Sequence, residues 1–329
     1  MSATATRTLR WGILSPARIV EELMPAFRDA EVAEVAAVAS RELSRAESFA
    51  AAHAIPTAYG SYEELLGDPG IDCVYIPLPN ALHAEWTRAA LESGKHVLCE
   101  KPMTPSTKEA RALFALARER GLQLMEAFMY RHHPKTKQLR DILRSGELGE
   151  LRVLRMWFHF QVDDPASDIR YVPELAGGAL RDVGCYCVSL ANFIFGEEPD
   201  SVSAIARYSD SGVDEVFAGN LRYGSGGLAH FDCGMASTLS TGVEALCSRG
   251  TARVATPWYA HLEPTSIELE TPDGRRIVPT PGHGVYQLEI ENICAAVLGE
   301  GVPEISAEET LQNLTTIERL LAAAIPDQR

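Results

Sequence analysis

From Leu9 to Met129 the chain repeats one pattern: a short apolar run, a break, then an amphipathic stretch of helical length. The apolar runs are Leu9–Leu14, Val32–Ala39, Asp72–Ile76, Lys95–Cys99 and Leu122–Met129. Between them the pattern predicts helices over Ile19–Phe27, over a stretch closing at His53, over Ala81–Ser93, and from the capping box Ser106-Thr107-Lys108-Glu109 to Arg120. Strands separated by helices of about 10 to 15 residues cannot pair as hairpins, so the repeat specifies βαβ units and a parallel sheet. Such a sheet buries both faces and binds ligands at the carboxyl edge of its strands.

Beyond Leu151 the pattern changes. Strand-like runs at Leu151–Val162, Ser201–Tyr208, Val216–Tyr223, Gly227–Met235, Glu244–Ser248 and Ile267–Leu269 follow one another, many joined by Gly, Asp or Ser turns. Tyr223-Gly224-Ser225-Gly226-Gly227 and Pro272-Asp273-Gly274 read as hairpin turns. Helices are expected near Gly178–Phe195 and Tyr286–Leu298, with a last one capped by Ser306 and Glu309. The fold expected is thus α/β: an N-terminal Rossmann domain over residues 7–130, then an α+β domain over 131–329 with a large, mainly antiparallel open sheet. The last helix is free to return to the first domain. At 329 residues the chain has the length of two domains.

Composition removes several function classes. A net charge of −15 without any Lys/Arg run disfavours nucleic acid. No stretch approaches the roughly 18 apolar residues of a membrane span. Seven cysteines, an odd number with no C-x-x-C pair, argue against a disulfide framework or a zinc site, and point to a reducing cytoplasm. Cys185 and Cys187 read as buried thiols, and no metal is expected. The polar stretch Met1–Arg7 lacks an apolar secretion core and reads as a frayed tail.

The chemistry-bearing residues fall at both ends of the pattern. Glu100-Lys101-Pro102 closes the fourth apolar run, which delivers an ammonium to the carboxyl edge of the parallel sheet. Asp182 and Tyr186 stand four apart after Gly177-Gly178-Ala179-Leu180, on one face if the run is helical. Lysine, carboxylate and phenol together suit proton transfer beside a hydride. A neutral Tyr186 can protonate a carbonyl oxygen unaided. As a base it needs its pKa of ~10 lowered by about three units, roughly 4 kcal/mol, which one ammonium at ~4 Å in an effective dielectric of ~20 supplies. Lys101 is the natural partner, with Asp182 orienting the pair.

The first strand-to-helix turn, Gly12-Ile13-Leu14-Ser15-Pro16-Ala17 followed by Arg18 and Ile19, keeps one of the glycines of a dinucleotide loop, while Ser15 and Ala17 are small enough for close approach to a pyrophosphate. At the end of the second strand stand Ser40 and Arg41, where NAD enzymes usually carry a carboxylate, with Arg45 further on. A hydroxyl and guanidinium suit a 2′-phosphate, so NADP(H) is expected over NAD(H).

These residues carry a resemblance. Ala39-Ser40-Arg41, the segment Tyr75 to His83 (Tyr-Ile-Pro-Leu-Pro-Asn-Ala-Leu-His), Gly94 to Pro102, Met125-Glu126-Ala127-Phe128 and the Gly-Gly-Ala-Leu-x-Asp-x-Gly-x-Tyr run resemble the Gfo/Idh/MocA oxidoreductases, over nearly the whole chain. Many members carry His where this chain has Tyr186. The tyrosine resembles the branch of dimeric dihydrodiol dehydrogenase, NADP-dependent xylose dehydrogenase and the deoxysugar 3-ketoreductases, and Asp168-Ile169-Arg170-Tyr171 with Arg131-His132-His133-Pro134 is most similar to the ketoreductases.

The resemblance implies a hydride transfer to or from a secondary carbonyl or hydroxyl of a cyclic sugar or derivative. A keto-sugar reductase is favoured, with a nucleotide-linked deoxysugar among its candidate substrates, and aldose 1-dehydrogenase or trans-dihydrodiol dehydrogenase as alternatives. A dinucleotide-binding sensor without turnover is the rival of another class. It also implies cofactor contacts from Pro77, Leu78, Pro79, Asn80, His83, Glu100, Lys101 and Pro102, and substrate contacts from Arg131, His133, Arg170, Tyr171 and Tyr186. A homodimer or higher homo-oligomer is expected through the open sheet.

Overall fold

In the computed structural model, which describes residues 7–258 and 262–326, the N-terminal repeat folds as a parallel sheet wrapped by helices. The elements are β1 Leu9–Leu14, α1 Arg18–Asp29, β2 Ala33–Ala39, α2 Leu43–His53, β3 Thr57–Tyr59, α3 Tyr62–Leu66, β4 Cys73–Ile76, α4 His83–Glu92, β5 His96–Glu100, α5 Thr107–Arg120 and β6 Leu124–Ala127. The strand order β3-β2-β1-β4-β5-β6 is that of a dinucleotide-binding sheet. The chain winds outward from β1 in both directions, and Ile13 pairs with Val38 on one side and Tyr75 on the other. That reversal opens the crevice at the carboxyl end of β1. Val74, Ile76, Val97 and Cys99 are fully buried, as expected of strands covered on both faces. The run 57–66 holds β3 and α3, which the sequence pattern does not announce because each is too short to show a period.

The remaining strands are β7 Leu151–Gln161, β8 Ser201–Tyr208, β9 Asp214–Arg222, β10 Leu228–Gly234, β11 Ala236–Cys247, β12 Thr251–Val254, β13 Thr265–Thr271, β14 Gly274–Thr280 and β15 Ala324–Pro326. They form one sheet in the order β14-β13-β12-β11-β7-β10-β9-β8-β15. Every pairing is antiparallel except β7 with β10 and β8 with β15. The two glycine-containing turns close hairpins, with Tyr223 N–H donating to Gly227 O at 3.0 Å and β13 folding back on β14. Helices α6 Pro134–Ser145, α7 Cys185–Phe195, α8 Val285–Val297 and α9 Ala307–Ala323 complete the chain. The expected helix over Gly178–Phe195 is present, but residues 180–184 ahead of α7 form a wide π turn.

Two compact units result. The first runs to residue 104 and adds 108–129 and 286–307; the second takes 105–107, 130–285 and the chain from 308 onward. Most of α8, which lies beyond residue 131 in a linear division, therefore belongs to the first unit.

Candidate active site

In the first unit the crevice presents a helix start without a side-chain cap. Ala17 precedes α1 and offers no capping oxygen, so the first amides of the helix are left for an anion. Ser15 adopts φ 99°, a left-handed conformation that ordinarily calls for glycine, and its N–H donates to Ala39 O at 2.9 Å. Behind it lies a cavity of about 370 Å³ lined by Ser15, Ser40, Arg41, Glu42, Arg45 and Tyr62. Two arginines and one glutamate line it, with the Ser40 hydroxyl just beyond the end of β2. This donor set fits a dinucleotide with a phosphorylated adenosine ribose.

The carboxyl edge of the sheet immobilises the loop around Lys101, residue by residue. Glu100 accepts from the Tyr75 hydroxyl at 2.6 Å through Oε1 and from the Lys101 N–H at 3.2 Å through Oε2. Burial first, and the Glu100 charge second, hold the Tyr75 phenol well above its ordinary range, so it stays a donor. Glu289 of α8, 1% exposed, is likewise pushed well up by burial, then by Glu100. The Met103 N–H donates to Glu126 Oε1 at 2.8 Å from β6. His83, wholly buried, sets Nδ1 2.9 Å from Pro102 O and Nε2 2.7 Å from Leu78 O. Two carbonyls favour an imidazolium; burial and the Lys101 ammonium oppose it, and the pKa is lowered to about 4.

His83 is therefore a tie between the loops after β4 and β5. As a neutral imidazole it has one N–H, which donates to one of these carbonyls while the other nitrogen faces the second. Asn80 opens the short helical turn Asn80–Leu82 beside Pro77, Leu78 and Pro79, on the same edge of the sheet.

In the second unit the π turn and α7 carry Asp182 and Tyr186. A Cβ on Gly177 would lie 2.2 Å from Arg170 O, and one on Gly178, where φ is 115°, would lie 2.1 Å from Asp214 Oδ1. The glycine pair thus lets the segment 170–172 and strand β9 close on the helix start. Asp214, 4% exposed, accepts the Leu180 N–H at 2.7 Å and also engages the Ala179 N–H. Its pKa is raised to about 6, chiefly by burial.

The Tyr186 ring is 7% exposed and caged by Tyr130, Phe158 and Trp258, with ring centroids at 5.6, 5.5 and 5.9 Å. The Trp258 indole N–H donates to Trp157 O at 3.1 Å, which fixes that wall. Asp182 Oδ2 accepts from Arg170 Nε at 2.8 Å, while Arg170 Nη1 reaches Asp168 Oδ2 at 3.0 Å. The Asp182 charge is the largest cause of the raised Arg170 pKa. The Tyr171 hydroxyl, on a ring 7% exposed, lies 3.5 Å from Met235 O.

Two expected substrate groups are buried and engaged by protein partners. Arg131 is 1% exposed, with its guanidinium 3.6 Å from the Phe193 ring centroid and bonded at 2.7 Å to Glu309. His133, also 1% exposed, caps α6 by accepting the Lys135 N–H at 3.0 Å, and burial lowers its pKa to about 4. Both pack and cap the second unit, so neither is carried forward as a substrate ligand. Asp214, Phe158, Tyr130 and Trp258 escape sequence reasoning, because each looks like an ordinary strand or core residue. Only the Gly177-Gly178 pair hints that something must approach closely. Among the described residues no cluster of His, Cys, Asp or Glu could hold a metal ion.

Comparison with known proteins finds relatives over nearly the whole chain. Residues 9–128 match the GFO_IDH_MocA family, described as an oxidoreductase family with an NAD-binding Rossmann fold, and residues 136–253 match the GFO/IDH/MocA C-terminal domain. The chain is 41% identical over 321 residues to a D-xylose 1-dehydrogenase (NADP(+)) of Haloferax volcanii, covering 96% of this chain and 97% of that one. It is 38% identical over 258 residues to the trans-1,2-dihydrobenzene-1,2-diol dehydrogenase of Sus scrofa, covering 78% and 76%. Among solved structures, a 3-ketoreductase from Actinomadura kijaniata in complex with NADP and TDP-benzene superposes with a TM-score of 0.92 at 33% identity, covering 97% of this chain and 99% of that one. From its crevice and Lys101 loop through its caged tyrosine, the chain belongs to the Gfo/Idh/MocA family of oxidoreductases.

Proposed function

We propose that this protein is an NADP(H)-dependent oxidoreductase acting on a secondary carbonyl or hydroxyl of a cyclic sugar or sugar derivative, with Lys101 and Tyr186 handling the proton. The observation that carries this reading is the immobilised Lys101 loop after β5, on the same carboxyl edge of the dinucleotide sheet as the cavity after β2 that Arg41 and Arg45 line. Ser15 and the start of α1 would take the pyrophosphate, and Ser40, Arg41 and Arg45 the 2′-phosphate. When bound, the nicotinamide supplies or accepts the hydride. In reduction the Tyr186 phenol gives its proton to the carbonyl oxygen; in oxidation Tyr186 takes the hydroxyl proton, and the Lys101 ammonium stabilises the phenolate. Asp182, held by Arg170, orients the proton-handling groups. The relatives' substrates favour a ring carbon bearing oxygen, whether in a free aldose, a dihydrodiol or a keto sugar.

The test is steady-state turnover with NADP(H) against D-xylose, trans-1,2-dihydrobenzene-1,2-diol and a keto-deoxysugar nucleotide. Lys101→Ala and Tyr186→Phe should each lower kcat about 10²-fold or more. Normal turnover in either variant removes that residue from the mechanism, and tight NADPH binding without oxidation by any of the panel turns the reading toward a sensor. Association into a homo-oligomer belongs to the same reading. Ile205, Leu228 and Ile277 stand 65%, 46% and 67% exposed on one face of the nine-stranded sheet. Sedimentation equilibrium that returns the monomer mass at micromolar protein would reject association.

A further inference from the structure

The geometry points to Asp214 as a positioning residue for the proton-handling helix: by holding the amides at its start, Asp214 fixes the wide turn that aligns Asp182 with Tyr186. This inference rests on the proposed roles of those two residues and adds a residue from strand β9.

In a regular α-helix of about 3.6 residues per turn, residue i+4 overshoots residue i by roughly 40°. A π turn bonds i to i+5 and is wider, so residue i+4 comes back more nearly over residue i. Asp182 lies inside the turn 180–184 and Tyr186 one residue beyond its end, so this local widening sets their mutual direction. Such turns are unfavourable alone and persist where the surroundings hold them.

The surroundings here are specific. Asp214, at the first position of β9, accepts the Leu180 N–H at 2.7 Å and engages that of Ala179. Arg170 O accepts the Gly178 N–H at 2.9 Å, and Gly178 O accepts the Asp182 N–H at 3.0 Å. Gly178 is the one residue type that fits, because any Cβ would strike Asp214 Oδ1. The charged and titratable neighbours of Asp214 are Arg181, on the turn itself, with Tyr208 of β8 and Cys233 of β10. None of the three takes the place of the carboxylate at the two amides.

Three variants test this: Asp214→Ala, Asp214→Asn and Gly178→Ala, with kcat and KM measured on the panel compound that the unaltered protein turns over fastest. The alanine variant should lose about tenfold or more in kcat, with the KM for the nicotinamide cofactor unchanged within about twofold, because the dinucleotide crevice lies in the other unit. Asparagine keeps an acceptor for the Leu180 N–H and should recover most of that loss. Gly178→Ala should resemble Asp214→Ala. The inference is overturned if Asp214→Ala keeps its kcat within about twofold, or if asparagine is as impaired as alanine while the cofactor KM rises in parallel. Should Asp214→Ala fail to fold, the other two decide: equal kcat in Asp214→Asn and Gly178→Ala overturns the inference, and a selective loss in Gly178→Ala supports it. Normal turnover in Tyr186→Phe would instead sink the proton-transfer reading itself.

Discussion

Replacing Arg41 by Ala should convert a cofactor preference into a near-indifference, and its size follows from the cavity. Arg41 and Arg45 are the two cations among six lining residues, and Glu42 is the one anion. A guanidinium–phosphate bond of the charge-assisted kind contributes about 1.5–3 kcal/mol. Both arginines are solvent-exposed, so the low end applies. Losing Arg41 should therefore cost about 1.5–2 kcal/mol toward NADPH, roughly 10- to 30-fold in Kd. With Arg45 also removed, Glu42 would face the phosphate uncompensated, and the loss should exceed the single-variant value. NADH has no 2′-phosphate and should bind within about threefold of its original affinity. Titration of the reduced cofactors by nicotinamide fluorescence measures both constants, and the NADPH loss should shrink as salt is raised from 0.05 to about 0.5 M. Equal weakening of NADPH and NADH would show that Arg41 supports the fold or the adenine rather than the phosphate. Unchanged NADPH binding would remove the cavity from the cofactor site.

Two further outcomes are expected. Ser15→Gly should raise stability by about 1 kcal/mol while leaving cofactor binding intact, because it relieves a left-handed φ of 99°; a lower urea midpoint would contradict the strain. Acid should destabilise the protein through its buried histidines. His83 and His133 are lowered to about 4 and His132 to about 3, chiefly by burial, so below the ordinary histidine pKa the unfolded chain takes up protons that the folded chain refuses. Their stabilisation is complete above pH ~6.5 and is lost as pH falls toward 4. Asp214, raised to about 6, works the other way, since the folded chain holds that proton more tightly between pH ~3.9 and 6. Glu289, also pushed up by burial, adds to Asp214, but three histidines outweigh two carboxyls, so urea midpoints at pH 7, 6 and 5 should fall in that order, and a flat series would refute the assignment of neutral buried rings.

The parallel half of the fold was readable because its evidence is local and repeated. The central strands bury both faces and so appear as largely apolar runs, and the longer crossover helices show their own period; β1 occupies its predicted span here, as β8 does in the second sheet. Elements without repetition escaped. β3 has three residues and β12 four, while the N-terminal half of β11, Ser237 to Thr241, is polar and largely exposed and carries no apolar alternation. The site divides along the same line. The place of Lys101 at the sheet edge was legible because a buried apolar run leads straight into it, whereas the engagement of Arg131 by Glu309 and Phe193, both far along the chain, was not.

The order of residues alone determined the strand-and-crossover architecture, the placement of an ammonium at the sheet edge, and a cofactor loop followed by arginine rather than carboxylate. These are properties of a residue and its near neighbours. Tertiary structure alone decided what each polar group faces: that His83 ties two loops, that Tyr75 holds Glu100, and that Asp214 caps a turn beginning 34 positions earlier in the chain. A hydrogen bond a few ångströms long is indifferent to the length of chain between its partners, so no local pattern records it.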